Sequence, residues 1–140
     1  MVTNLPGRTS NELSDSSLKI TRDQISSVTI RHVEPGAIQV GDKLVRDNIA
    51  LTADAIMHDW QASVIEELTE DDFEPLLASE PELILLGTGP SSVFPPRELV
   101  FSLARRGIGL ETMDTAAACR TFNILISEGR RVAAVLIVKQ

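Results

Sequence analysis

Two uninterrupted apolar stretches, Leu83-Ile84-Leu85-Leu86 and Val132-Ala133-Ala134-Val135-Leu136-Ile137-Val138, constrain this chain more than any other feature. A strand with one wet face alternates apolar and polar residues, whereas one without alternation is covered on both faces, as in a parallel sheet flanked by helices. Both stretches fall well short of the ~20 apolar residues needed to cross a bilayer. The residues between them fit that reading. Gly87-Thr88-Gly89-Pro90 ends the first strand, and Pro96 suits the first turn of a helix, where its missing N–H costs nothing. Leu99, Val100, Leu103 and Ala104 then form one apolar stripe, and Arg105, Arg106 and Gly107 make a helix stop. Residues 108–113 read as a strand. Asp114 or Thr115 caps a further helix whose Ala118, Phe122, Leu125 and Ile126 face inward, and Glu128-Gly129 ends it. Strand, helix, strand, helix, strand with buried runs predicts parallel neighbours and right-handed crossovers.

Upstream the pattern is different. Residues 1–22 are rich in Ser, Thr and Asn and read as a flexible polar tail. Residues 23–140 read as a single domain, the size expected of one core. Short apolar pieces at Val28/Ile30/Val33, Ile38/Val40, Leu44/Val45, Ile49/Leu51 and Ile56-Met57-His58 are separated by turn residues such as Glu34-Pro35-Gly36. This spacing predicts a meander of antiparallel strands. Val64 and Ile65 read as another short β piece. Thr69 with three following acids opens a helix that Pro81 terminates near Ser79. The expected fold class is α/β: a three-layer domain in which an antiparallel meander joins a mixed sheet.

Charge and cysteine content narrow the function classes. The net charge of −7 argues against a nucleic-acid or anionic-membrane surface, both of which need a basic face. It is uneven: residues 1–90 carry 6 basic and 16 acidic side chains, a net of −10, and residues 91–140 carry 7 and 4, a net of +3. Such polarity can orient self-association or dock an acidic partner. No secretory signal is visible, and the single cysteine, Cys119, allows no internal disulfide. A reducing, cytoplasmic setting is expected.

The motif search nominates no catalytic residue, metal ligand or cofactor. Gly87-Thr88-Gly89 follows a strand, and Glu111 lies 22 residues beyond Gly89, which resembles a dinucleotide fingerprint. The third glycine position is Ser92, however, and Pro90 removes an amide. Ser91 and Ser92 with free backbone amides, beside Arg97 in the first turn of the helix, can hold a small anion. Arg97 can equally pair with Glu98, Glu111 or another acid. Cys119, among alanines, reads as a small core residue, and its neighbour Arg120 as a means of lowering its pKa. His32 and His58, with Asp54 and Asp59, lack metal-ligand spacing. No catalytic triad order or phosphate loop with its lysine is present.

Leu86-Gly87-Thr88-Gly89, the segment 107–115 (Gly-Ile-Gly-Leu-Glu-Thr-Met-Asp-Thr), Ala118-Cys119-Arg120-Thr121-Phe122-Asn123 and Glu128-Gly129-Arg130-Arg131-Val132-Ala133 together carry a family resemblance. The chain resembles an uncharacterised small α/β family that includes a mitochondrial complex I assembly factor and an adipogenesis-associated protein. The resemblance covers about residues 27–138. It implies a three-layer α/β domain acting through protein partners, with no established reaction. It maps onto Gly87, Thr88, Gly89, Asp114, Thr115, Arg120 and Asn123. With Ser91 and Arg97 these make the expected ligand or partner surface. Two loops that follow neighbouring strands form either a docking surface or a capping network. The leading expectation is a non-enzymatic binding or assembly module that engages a protein partner or a second copy. A small anionic-metabolite protein using residues 87–97 is the alternative.

Overall fold

The two apolar stretches pair with each other. In the computed structural model, which describes residues 2–5, 7–9, 29–58, 60 and 64–139, β8 (Leu83–Gly87) lies parallel to β10 (Val132–Leu136) with Leu83 opposite Val132. On its other side β8 runs parallel to β9 (Gly109–Met113). Two short antiparallel strands, β6 (Ile49–Leu51) and β7 (Ile56–Met57), extend the sheet beyond β10, giving the order β7-β6-β10-β8-β9. β3 (Ile30–Glu34), β4 (Ala37–Val40) and β5 (Lys43–Val45) form a separate antiparallel sheet. The expected meander therefore divides between two sheets. β1 (Val2–Leu5) and β2 (Gly7–Thr9) make their own hairpin. The rest of the segment read as a tail lies outside the described residues, as do residues 23–28, which include Val28 of the first expected strand.

Side-chain alternation along the buried strands explains why both apolar runs are unbroken. Ile84, Leu86, Ala133 and Val135 face one way, against Leu99 and Leu103 of α2 (Arg97–Arg105) and against Phe73 and Leu76. Leu85, Val132, Ala134 and Leu136 face the other way, against Ala118, Phe122 and Ile126 of α3 (Thr115–Ser127) and against Ile30, Ile38 and Val40 of the small sheet. Three layers result. The β8–β9 and β9–β10 connections step in opposite directions along the sheet and lay their helices on opposite faces, as two crossovers of one hand must.

Three local expectations change. Residues 64–65 are not a strand: Ile65–Glu67 is a 3₁₀ turn that puts Ile65 and Leu68 into the core. The helix from Thr69 is a 3₁₀ turn, Glu70–Phe73, followed by a single α-turn, α1 (Glu74–Leu77). Pro75 has no N–H to continue an α-helical ladder through that junction. The stripe on α2 narrows to Leu99 and Leu103, with Val100 half-buried and Ala104 exposed. α2 packs on β9, which has no outer neighbour, so the helix flank on that side has nothing to bury against.

Candidate functional site

β8 and β9 send their following segments to opposite faces, so the crevice between their carboxyl ends is the switch point where open α/β sheets place ligands. The structure brings the Gly87-Thr88-Gly89 loop and the Asp114-Thr115 helix start together there. They occupy one another. The Thr88 amide donates to the Met113 carbonyl at 2.9 Å, the Gly89 amide to Thr115 Oγ1 at 2.8 Å, and the Thr115 amide to the Gly89 carbonyl at 2.8 Å. Thr115 Oγ1 donates onward to the Ile137 carbonyl at 2.7 Å, and the Ile137 amide returns to the Gly87 carbonyl at 2.8 Å. Thr88 Oγ1 donates to the Ser91 carbonyl at 2.6 Å and accepts from the Val93 amide at 3.0 Å. Asp114 caps α3, its Oδ1 accepting from the Ala117 amide at 2.8 Å. A phosphate-binding loop needs these donors free, and here the fold uses them.

Gly87 is required by closeness. A Cβ built on it lies 3.0 Å from Thr115 Cα, 3.1 Å from Ala118 Cβ and 3.1 Å from Leu136, so the start of α3 rests directly on the end of β8. Asn123 serves another junction. It accepts from the Ile30 amide at 3.0 Å and donates to the Ile30 carbonyl at 2.7 Å, pinning β3 to α3. Arg120 is exposed on α3, and Ser91 is exposed in the loop after β8. Cys119 is buried, and that burial pushes its thiol up to about 12; Asp114 adds to the rise and Arg120 opposes it in part. Desolvation outweighs the effect of Arg120, so Cys119 is the small core residue it was expected to be, and its thiol is held protonated. His32 bonds Glu34 at 3.0 Å, His58 is exposed, and Asp59 lies outside the described residues. No group of three potential ligands that could hold a metal occurs among the described residues.

The basic residues of α2 separate into two kinds. Arg106, just past the helix, bonds Glu70 and Glu74, and holds the Glu70 carboxyl below its ordinary range. Arg97 and Arg105 make no ion pair among the described residues, so the expected pairing of Arg97 with Glu98, Glu111 or another acid is not formed. Between them, one turn from each, stands Phe101, 58% exposed, and just before the helix stands Phe94, 83% exposed. The chain has four phenylalanines, and the other two, Phe73 and Phe122, are fully buried. Neither exposed ring was singled out in the sequence. The available signal was that Phe101 lies off the Leu99/Leu103 stripe and that Phe94 precedes two prolines.

A second feature adjoins the strand ends. The β3–β4 turn and the start of α3 enclose a cavity of about 400 Å³ that touches Gly89 and Asp114.

Fold and site together define a three-layer α/β domain whose sheet end is closed by its own caps and which exposes Phe101 on α2 and Phe94 just before it. The chain belongs to the family described as "Protein of unknown function (DUF498/DUF598)", matched by residues 30–137. It is 36% identical over 80 residues to human NADH dehydrogenase [ubiquinone] 1 alpha subcomplex assembly factor 3, a match covering 56% of this chain and 44% of that protein. It is 34% identical over 73 residues to the 13 kDa major membrane protein of Francisella tularensis, covering 52% of this chain and 59% of that one. The chain thus spans about half the length of these curated relatives. A solution structure from Xanthomonas campestris is similar at 37% identity with a TM-score of 0.72, covering 78% of this chain and 83% of that one. The expected kinship with complex I assembly factors is shown. No helix among the described residues is long and apolar enough to cross a membrane.

Proposed function

We propose that this protein is a non-enzymatic docking module that takes part in assembling a multisubunit complex. The observation that carries the reading is the pair of exposed rings, Phe94 and Phe101, set beside the unpaired Arg97. Large apolar side chains grouped on a surface mark an interaction site. Aromatic and arginine side chains are the residues that dominate binding energy at protein interfaces. The partner is a protein segment offering an apolar hollow for the rings and carboxylates for Arg97 and Arg105. Of the expected contact residues, Ser91 and Arg97 flank this surface. Gly87, Thr88, Gly89 and Thr115 belong instead to the cap network that joins β8 to α3. The relatives named as assembly factors for NADH dehydrogenase make that enzyme the first candidate process. A reducing, cytoplasmic setting fits the single quiet thiol.

The test compares affinity capture of the tagged wild-type chain with that of a Phe94→Ser/Phe101→Ser double variant, at low salt, from the source cell. We expect a stoichiometric partner with the wild type that is lost from the variant, while thermal stability is unchanged. Repeated recovery of no stoichiometric partner, or equal recovery by both chains, defeats the reading. Membrane NADH dehydrogenase activity in a deletion strain, rescued by the wild type and not by the double variant, tests the candidate process.

A further inference from the structure

The cavity beside the α3 start shares no residue with the α2 surface. It lies where the carboxyl ends of β8 and β10 meet the β3–β4 turn. Its walls are apolar: Val33, Ile38, Pro90, Ala116, Ile137 and Val138. A volume of about 400 Å³ falls within the range of small-molecule sites. Gly36 and Gly89 both line it, and a Cβ built on either meets nothing within 4 Å.

Its charge is one-sided. Glu34 and Asp114 line the cavity, and no lysine, arginine or histidine does. Asp114 spends one oxygen on the Ala117 amide, and its other oxygen has no partner among the described residues. Glu34, whose side chain is 52% exposed at the mouth of the cavity, spends one oxygen on His32. The first turn of α3 contributes about half a positive charge, which two carboxylates outweigh. An anion would therefore be repelled, and a neutral apolar molecule would take water from the second Asp114 oxygen and offer it nothing in return. An ammonium group on a short apolar body satisfies walls and charges together. We propose that this cavity is a binding site for a small organic cation, an alkylammonium compound whose apolar part lies against Val33, Ala116 and Ile137 and whose charge lies between Glu34 and Asp114.

The proposal is tested with three six-carbon probes that differ only in their head group: hexylammonium, hexanol and hexanoate. Binding is followed by amide chemical shifts in titrations of the full chain. Hexylammonium should saturate with shifts centred on Val33, Ala116 and Val138, and should bind at least about tenfold more tightly than hexanoate, as expected of charge pairs in a partly dry site. Asp114→Asn keeps a capping side chain and removes a charge. It and Glu34→Gln should each weaken hexylammonium several-fold while the chain stays folded, with Asp114→Asn losing only the small stabilisation from its charge at the helix start. Ala116→Leu fills the cavity from a helical position and should abolish binding. The absence of saturable binding overturns the proposal, as do hexanol or hexanoate binding as tightly as hexylammonium, shifts centred elsewhere, and binding unaffected by Ala116→Leu. None of these variants touches Phe94, Arg97 or Phe101, so the result is independent of the docking surface.

Discussion

Thr115 and Gly89 hold each other twice: the Thr115 amide donates to the Gly89 carbonyl and the Gly89 amide donates to Thr115 Oγ1, both at 2.8 Å. This reciprocal pair joins the end of β8 to the start of α3. The same hydroxyl donates its own hydrogen bond to the Ile137 carbonyl after β10, so one buried side chain closes three strand ends. Thr115→Val keeps the shape and removes the hydroxyl. It leaves the Gly89 amide without an acceptor and the Ile137 carbonyl without that donor. Unmade buried hydrogen bonds of this kind cost about 2–4 kcal/mol for the two groups. The urea midpoint of Thr115→Val should fall accordingly, while Thr115→Ser should stay within about 1 kcal/mol of wild type.

Gly87→Ala should destabilise by about 1–3 kcal/mol, because the new methyl meets the backbone of Thr115 and the packed Ala118 and Leu136 side chains. Gly109→Ala is the matched control on β9. Its methyl meets the terminal Cδ1 of Leu83 at 3.3 Å, which a side-chain rotation relieves. Urea unfolding of the two variants should therefore separate them clearly, with Gly87→Ala the less stable.

Much of this architecture was legible because burial on both faces leaves a direct mark. The unbroken apolar residues of β8 and β10, and the helix stop at Gly107 (φ +78°), carry their structural reason in their own side chains. The division of the meander was not legible. Ile38 and Ile49 are both fully buried and belong to similar short strands, yet they enter different sheets, because β6 pairs with β10 about 85 residues downstream. The same holds at the site. The proximity of Gly87 and Thr115 followed from their strands being neighbours, but the saturation of their donors depends on Ile137 and Ser91, whose parts are played by backbone carbonyls. Residue type says nothing about those. The exposure of Phe101 was hidden for a related reason: whether a helix flank is covered depends on β9 being the last strand.

Asn123 should act as a pin rather than as a contact residue. Its side-chain amide replaces a strand neighbour for Ile30, supplying both an acceptor and a donor. Asn123→Ala should cost about 1–2 kcal/mol, and amide exchange at Ile30 should accelerate more than exchange at Leu85 in the central sheet. Asn123→Asp keeps the acceptor and loses the donor, so the Ile30 amide should stay better protected than in the alanine variant. Equal exchange at Ile30 in all three chains would refute this role.

Cys119 gives the fold a pH dependence with a definite sign. Burial raises its thiol from 9.0 to about 12 in the folded chain. The folded state therefore keeps a proton that the unfolded state releases near pH 9, and stability due to this group is complete below that value and declines as pH rises from 9 toward 12. The chain contains no tyrosine, which removes the other side chain that commonly titrates in this window, and Lys43 and Lys139 are exposed. Urea midpoints measured from pH 8 to pH 11 should fall more steeply for the wild type than for Cys119→Ala. The alanine variant should show a roughly constant offset of about 1 kcal/mol from the lost buried sulfur. Alkylation of the native chain by iodoacetamide at pH 8 should proceed only through opening of α3 and so slow down when the protein is stabilised. Rapid labelling of the folded protein, or parallel pH curves for the two chains, would show that the thiol is neither buried nor suppressed.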